Sequence, residues 1–430
     1  MTTGSSSWSS PSRRASVAAA VALAGLAATQ ARGQAPAPPE QAEADAYTRY
    51  ELLAPGSGKF RILYEITATT PGARVYDNPI RRGSVASDER VTDRATGLPL
   101  AHETVSAAAA RADGVTGDAA DQYLRVRIAR PVPAGGGGRI LIDKTYTDPL
   151  SYRVEADGGL VFARPLGIKR DSVVLPRGYE LAACNVPSQV LQEPDGRIRI
   201  SFWNDGAAQA PLLLKARRAA EPIAAPGAVA AGVVDRAHQS RDIVYDLQQP
   251  ETHAFSLYHD YTETRAGTDH YVNVVRTGSV VRDPGGRDLD TGEALRPEVL
   301  RGEAITRAGI HEEGLTVTPD AEVVVFRYAP VPPGGSKRLR MSETYADAER
   351  YRLEGAELVW RRSLGRAHNA IVLPAGWALS ASSIPAVVTT REDGRVRLDF
   401  TNPRPDELDT LIIAHRASDR PAEPPPTPNR

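Results

Sequence analysis

Three histidines lie close together in the second half of the chain, with Asp260 and Asp269 beside two of them: His253, His259 and His270. A catalytic zinc ion takes three protein ligands and activates water at its open position. If this segment forms a hairpin that brings the side chains together, it is a candidate site for metal-assisted hydrolysis. However, His253 and His259 are six residues apart, so they share one face of a strand only if no turn separates them.

Two arginines in the first half of the chain recur at matching places in the second: Arg153 matches Arg352, and Arg164 matches Arg362. A guanidinium group binds carboxylates and phosphates through paired hydrogen bonds. The arginines therefore form a candidate anion site in each half. The alternative, and the more common role, is local pairing with carboxylates at strand edges.

Trp203 is the best candidate for an exposed aromatic platform, because it is followed by the turn-forming residues Asn204, Asp205 and Gly206. Aromatic rings combined with Asn, Asp and Arg are typical of glycan-binding surfaces. Trp360 and Trp377 stand in apolar strand patterns instead, so we expect them in the core.

The segment from Asp283 to Asp290 contains several aspartates around two glycines, and its oxygens make it a candidate calcium loop. Its spacing is not that of an EF-hand, and a solvated turn is the alternative. We therefore predict no cofactor, and zinc or calcium are the alternatives to that prediction.

Familiar catalytic signatures are missing from the sequence: G-x-S-x-G, S-x-x-K, H-E-x-x-H, the Walker loop and G-x-G-x-x-G. The single cysteine, Cys184, excludes an intramolecular disulfide, and Ser382 replaces it in the second half. The two halves share no catalytic set. These observations favour a protein that is not an enzyme.

Composition indicates a globular chain that does not bind nucleic acid. Of the 430 residues, 41% are hydrophobic and 24% are charged, and the net charge is −1, whereas nucleic-acid binders usually carry a basic excess. The length is too great for one ordinary domain. The 36 glycines and 34 prolines indicate many turns and short strands.

One sequence unit occurs twice. Tyr50-Glu51-Leu52 matches Tyr245-Asp246-Leu247 at an offset of 195, which becomes 199 near Pro131 and 198 near Leu166. Insertions and deletions in surface loops produce such a drift. We predict repeat 1 over 47–218 and repeat 2 over 243–417, joined by an Ala/Pro/Gly linker at 219–242.

The two ends of the chain read as processing and tail segments. Arg13 and Arg14 precede an apolar run over 17–28, which predicts a signal peptide over 1–31 and either general secretory or twin-arginine export. A Pro/Ala-rich lead-in follows over 32–46, and residues 418–430 are predicted to be a disordered Pro-rich tail. No later apolar run reaches the length of a membrane-spanning helix, so we expect a periplasmic or secreted protein without a transmembrane segment.

Alternating apolar and polar residues predict strands throughout both repeats, for example over 60–66 and 197–202. Asp195-Gly196 and Asp393-Gly394 fit two-residue hairpin turns. The fold class predicted is all-β, a tandem duplication of an antiparallel β-sandwich-like, Ig-like unit.

The leading hypothesis for function is a non-enzymatic protein with a binding or structural role in the cell envelope or outside the cell. Two matching repeats would allow bivalent engagement of a glycan or an envelope protein. The alternatives are a metal-assisted hydrolase with a zinc site in repeat 2, or a glycan-binding module.

Overall fold

A computed structural model of the chain describes residues 38–116, 120–206, 208–238, 241–275, 280–312 and 315–417. The predicted signal peptide, the start of the lead-in and the predicted tail at 418–430 lie outside these residues. Those three predictions therefore stay predictions.

Repeat 1 consists of short strands and a short helix. The helix α1 (Ala107–Ala112) begins after Ser106, whose hydroxyl accepts a hydrogen bond from the Ala109 amide and so caps the first turn. The strands are β1 (Glu43–Leu52), β2 (Lys59–Ala68), β3 (Val75–Arg81), β4 (Val85–Asp93), β5 (His102–Ser106), β6 (Ala120–Arg127), β7 (Gly138–Thr147), β8 (Tyr152–Val154), β9 (Leu160–Leu166), β10 (Arg170–Val174), β11 (Tyr179–Cys184), β12 (Gln189–Gln192), β13 (Ile198–Trp203) and β14 (Ala210–Arg218).

The second half of the chain repeats this order after a short helix, α2 (Ala228–Ala231), and includes a 3-10 helix (Pro250–Thr252) and α3 (Glu303–Arg307). The strands are β15 (Asp242–Leu247), β16 (Ala254–Glu263), β17 (His270–Val274), β18 (Val280–Asp288), β19 (Ala294–Leu295), β20 (Pro297–Arg301), β21 (Glu322–Arg327), β22 (Lys337–Ala346), β23 (Tyr351–Glu354), β24 (Glu357–Leu364), β25 (His368–Val372), β26 (Trp377–Ser382), β27 (Val387–Thr390), β28 (Val396–Thr401) and β29 (Leu408–Arg416).

Sheet topology is the same in the two repeats, apart from one added edge strand, β19, in repeat 2. The large sheet has the order β12-β13-β10-β1-β2-β7-β4 in repeat 1 and β27-β28-β25-β15-β16-β22-β18-β19 in repeat 2. A four-stranded and a three-stranded sheet accompany each large sheet. Pairing is antiparallel except between β1 and β10 and between β15 and β25, which run parallel. The prediction of an all-β chain built from duplicated sandwich-like units is confirmed.

Aromatic side chains fill the core between the large and the four-stranded sheets. Every second residue of β2 points inward, and its Phe60 ring lies 5.3 Å from the ring of Phe162 on β9. Trp360 occupies the place of Phe162 in repeat 2, where it lies 5.4 Å from Tyr245. Trp360 and Trp377 are buried, as predicted, because large apolar surfaces are stabilised by removal from water.

Two matching aspartates lie in β-bulges. Asp88 and Asp283, which correspond in the two repeats, have φ angles of 58° and 50° and lie in β-bulges of β4 and β18.

The hairpins at Gly196 and Gly394 differ from the prediction. Each has a three-residue loop rather than a two-residue loop, closed by a backbone hydrogen bond such as that from Glu193 to Arg197. Only the glycine takes a positive φ there.

The two repeats contact each other through equivalent glycine-rich loops. The amide of Gly137 in repeat 1 donates to the Leu289 carbonyl, 2.8 Å away. At the matching place, the hydroxyl of Ser336 in repeat 2 donates to the Arg94 carbonyl, also at 2.8 Å. A Cβ atom at Gly136 would lie 2.3 Å from the Leu289 oxygen, so only glycine allows this approach. The same surface therefore serves both sides, as in a two-fold symmetric dimer.

The boundaries of the repeats differ in detail from the predicted segments. Strand β1 begins at Glu43, within the predicted lead-in at 32–46. In the predicted linker at 219–242, Asp235 and Arg236 are buried. Asp235 accepts a hydrogen bond from Ser201 of repeat 1, and Arg236 donates to the carbonyl of Asn402 in repeat 2. The C-terminal end of the predicted linker therefore contacts both repeats.

Candidate functional site

The three histidines considered as zinc ligands have separate environments. His253 precedes β16 and donates from Nδ1 to the Tyr351 carbonyl at 2.9 Å. His270 begins β17, and its Nδ1 lies 2.7 Å from the Asp269 carboxylate. His259 lies within β16, on the order of 20 Å along the chain from His253 at the rise of an extended strand.

His259 is buried beside the Tyr271 ring, at a centroid distance of 5.4 Å. Burial lowers its pKa to about 3, and the charges of Arg366 and Arg241 act in the same direction. The ring is therefore neutral at physiological pH. In the described residues no group of three His, Cys, Asp or Glu side chains is placed to hold a metal ion. The structure does not assemble the zinc site considered from the sequence.

The candidate anion-binding arginines lie on opposite faces of the four-stranded sheet. Arg153 is opposite Val161 in the pairing of β8 with β9, while Arg164 shares the core-facing side of β9 with Phe162. Arg153 is exposed, and Arg164 is buried in an ion pair with Asp148 at 3.0 Å. The two side chains are not placed to hold one anion together.

The corresponding arginines of repeat 2 are also held locally. Arg352 contacts the carboxylate of Glu354, and Arg362 lies over the Tyr245 and Phe255 rings at 5.3 and 5.1 Å. Local pairing with a carboxylate, the alternative given in the sequence analysis, therefore describes Arg164 and Arg352, whereas Arg362 packs on aromatic rings.

The acidic loop considered for calcium forms part of the contact between the repeats. Asp288 lies 2.7 Å from the ammonium of Lys337, and Asp290 forms paired hydrogen bonds with Arg139 at 2.5 and 2.8 Å. Both carboxylates are buried and each has a cationic partner. These cations already balance the charge of both aspartates, and Asp290 joins the two repeats, whereas Asp288 pairs within repeat 2.

Trp203 lines a cleft of about 700 Å³ between the two repeats. It is half-buried at the end of β13, beside the loop that carries Asp205. Tyr258 of β16 lines the same cleft from repeat 2. The cleft is bordered by β1, β10 and β13 of repeat 1 and by β15, β16, β25, β27 and β28 of repeat 2.

A histidine held between two carboxylates lies in this cleft. His368 Nδ1 is 3.3 Å from Asp242, and its Nε2 is 3.2 Å from Asp399. Burial alone would lower the pKa of His368, but the two carboxylates outweigh burial and raise it to about 9. The imidazolium and Arg397 in turn hold the pKa of Asp399 at about 2 despite burial.

This arrangement provides a fixed positive charge rather than a general base. At neutral pH both ring nitrogens of His368 carry protons that face carboxylates, so neither presents a lone pair to a substrate. Arg397 binds Asp399 through two hydrogen bonds at 2.8 and 2.7 Å. The charged groups are thus fixed before any ligand arrives, which favours binding.

Further ion pairs border the cleft. Arg340 binds Asp260 at 2.7 and 2.8 Å and lies over the Tyr258 ring at 4.1 Å. On the repeat 1 side, Asp205 accepts a hydrogen bond from Thr401 at 3.1 Å, across the boundary between the repeats. The cleft therefore combines aromatic rings with polar groups whose positions are fixed by ion pairs and hydrogen bonds.

The sequence singled out Trp203, which lines the cleft, but gave no indication of His368, Asp242 and Asp399. These three residues are far apart in the chain and meet because β25 pairs in parallel with β15 and antiparallel with β28. The positions that correspond to His368 and Asp242 in repeat 1 are Arg170 and Tyr47, so comparing the repeats gives no signal for this group.

Comparison with known proteins adds little to this geometry. No protein-family model and no curated protein matches the chain. Among solved structures, an alignment with the collagen adhesin of S. aureus covers 75% of this chain and 84% of that one, at 8% sequence identity and a TM-score of 0.17. A TM-score this low transfers neither the topology nor the binding property of that adhesin. In the described part of the chain, no helix is long and apolar enough to cross a membrane.

Proposed function

We propose that the protein is exported and binds a glycan in the cleft between its two repeats, in the cell envelope or outside the cell. The observation that carries this proposal is that Trp203 of repeat 1 and Tyr258 of repeat 2 line the same cleft. The C–H faces of sugar rings pack on aromatic faces, and both residue types combine an apolar ring with a polar edge.

The polar groups around these rings support the same ligand class. Asp205, Asp260, Asp399 and Arg397 offer carboxylate and guanidinium groups to hydroxyls along the cleft. Several of them are already fixed by ion pairs, so binding would require little ordering of side chains. The proposed export rests on the signal-peptide pattern over 1–31.

Binding would require both repeats, because each contributes one wall. This differs from the bivalent arrangement considered from the sequence, in which each repeat carries its own matching site. The contacts that join the repeats, such as Gly137 with Leu289, keep the two walls together.

The test is a thermal-shift and calorimetric screen of the mature chain against cell-wall fragments and common glycans. A ligand that binds only the native state raises its stability by mass action. Trp203→Thr, which installs the residue found at the matching place in repeat 2, is expected to weaken binding by about tenfold or more. Arg153→Ala, at an exposed position that does not line the cleft, serves as the control. Unchanged glycan affinity in Trp203→Thr would count against the proposal.

A further inference from the structure

An asparagine shared by the two repeats has partners of opposite charge. In repeat 1 the side-chain oxygen of Asn78 on β3 accepts a hydrogen bond from the ammonium of Lys144 at 2.5 Å. In repeat 2 the matching Asn273 on β17 donates its amide to both carboxylate oxygens of Glu343, at 2.6 and 2.7 Å. Lys144 and Glu343 occupy equivalent positions, so duplication has left a cation in one repeat and an anion in the other.

No carboxylate of the described residues pairs directly with the Lys144 ammonium. Its side chain is 3% exposed, and besides Asn78 its nitrogen contacts the Tyr146 ring, 4.9 Å from the centroid. Within the described residues no carboxylate lies within ion-pairing distance of this nitrogen. The neighbouring cation Arg164 is already paired with Asp148. A buried ammonium with one neutral partner is costly and retains unused donors.

Lys144 lines a cavity of about 320 Å³ within repeat 1. Its walls carry five tyrosines, which are Tyr50, Tyr64, Tyr76, Tyr123 and Tyr146. The hydroxyls of Tyr64 and Tyr76 both donate to Glu43, so that carboxylate is satisfied within the wall. Thr48 also lines the cavity. It is 2% exposed, and its hydroxyl has no hydrogen-bond partner among the described residues.

We infer that this cavity binds a small organic carboxylate, whose charge pairs with the Lys144 ammonium and whose apolar body packs among the tyrosines. A carboxylate carries the single negative charge that balances one ammonium, and it accepts the hydrogen bonds that Lys144 and Thr48 have to offer. The volume lies at the small end of the range for small-molecule sites, about 300–1000 Å³. Glu343 would repel the same ligand at the matching place in repeat 2.

Binding should take up a proton. Burial lowers the pKa of Lys144 to about 7, with a further lowering by Arg164 on β9 and an opposing effect of Glu89 on β4. Lys144 bonds to Asn78 on β3 and contacts the Tyr146 ring on its own strand. The other titratable groups that line the cavity are Glu43 and Tyr50 on β1, Tyr64 on β2, Tyr76 and Asp77 on β3, and Tyr123 on β6. At pH 8 the amine of the free protein is mostly neutral, so a bound carboxylate that pairs with the ammonium form draws a proton onto Lys144 from the buffer.

The experiment is isothermal titration of the full mature chain with benzoate and hexanoate at pH 8, in two buffers of different ionisation enthalpy. Benzyl alcohol, a neutral ligand of similar size, is the control for packing alone. We expect both carboxylates to bind with proton uptake, and benzyl alcohol to bind at least about tenfold more weakly. The affinity for benzoate is expected to fall as the pH rises above 7.

Matched variants separate the ammonium from the fold. Lys144→Met keeps the length of the side chain without its charge and is expected to remove carboxylate binding without lowering the melting temperature. Glu343→Gln changes the equivalent residue of repeat 2 and is expected to leave benzoate binding unchanged. The inference would be overturned if neither carboxylate binds at millimolar concentration, if binding takes up no proton, or if Lys144→Met binds benzoate as the parent chain does. Trp203→Thr is expected to keep benzoate binding, so failure of the glycan proposal would not affect this result.

Discussion

Arg139 and Arg338 occupy equivalent positions in the two repeats, and each reaches across to a carboxylate of the other repeat. Arg139 of repeat 1 binds Asp290 at 2.5 and 2.8 Å, and Arg338 of repeat 2 lies 3.0 Å from Asp45. Arg338 also lies 3.0 Å from Asp242. Both guanidinium groups are almost fully buried. The two crossed ion pairs join the repeats beside the cleft.

Removing the guanidinium of Arg139 should destabilise the protein, because Asp290 would then be buried without its cation. Arg139→Ala is expected to lower the free energy of unfolding by about 3–5 kcal/mol, measured by urea denaturation. Arg82→Ala breaks an exposed pair with Asp121 and should change it by less than about 1 kcal/mol. A similar loss of stability in the two variants would show that the buried Arg139–Asp290 pair stabilises the protein no more than an exposed pair does.

Stability should fall with rising pH because of His368. Its folded-state pKa is raised from 6.5 to about 9, so the native state keeps a proton that the unfolded chain releases. The stabilisation is complete below pH 6.5 and is lost as the pH rises through about 9. Because the side chain is partly exposed, we expect a contribution of about 1–2 kcal/mol after allowance for solvent screening.

The measurement is the free energy of unfolding of the parent chain and of His368→Gln at pH values from 6 to 10. The difference between the two should shrink across this range. His102→Gln, at an exposed histidine bonded to a backbone carbonyl, should follow the parent chain. A constant difference between His368→Gln and the parent would contradict the assignment of the charge to His368.

Lys144 should have the opposite effect on the pH dependence. Its pKa is lowered from 10.5 to about 7 in the folded state, so the unfolded chain binds the proton more strongly between these values. Stability from this group therefore rises as the pH increases from about 7 toward 10.5. Lys144→Met should be more stable than the parent at pH 6, and this advantage should decrease toward pH 10. Equal stability of the two chains at pH 6 would show that the buried ammonium is compensated.

The β-bulge at Asp88 provides a backbone test. Its φ of 58° is left-handed, a region that costs most side chains about 1–2 kcal/mol but suits glycine. Asp88→Gly is expected to retain the melting temperature, while Asp88→Ala should lower the free energy of unfolding by about 1 kcal/mol. The same pair of substitutions at Asp283 should behave alike in repeat 2, and differential scanning calorimetry measures both. Equal loss in the Gly and Ala variants would assign the role of Asp88 to its side chain.

The alternation of apolar and polar residues and the internal repeat predicted much of the fold. The burial of Trp360 and Trp377 was predictable because each stands in an apolar run opposite an aromatic residue of repeat 1. The two-residue turns were wrong by one residue, since Asp-Gly alone does not distinguish a two-residue loop from a three-residue loop with glycine at its last position.

The candidate site was only partly predictable. Trp203 was identified from its neighbours in sequence, but the cleft depends on how the repeats meet. Lys144 and Glu343 stand at matching positions with opposite charges, so a search for residues shared by the repeats passes over both. Each of them bonds to the same shared asparagine, which is Asn78 in repeat 1 and Asn273 in repeat 2. The match between the two asparagines can be read from the sequence, but their bonding partners are apparent only from contacts between sheets.

The contact between the repeats uses the same loops on both sides, so nothing in its geometry prefers a partner from the same chain. What selects that partner is the connection through 219–242, which keeps the local concentration of each repeat near the other high, about millimolar for a short linker. A linker too short to allow this contact would instead favour exchange between two chains. The product would be a closed, domain-swapped dimer with the same loop contacts and two clefts.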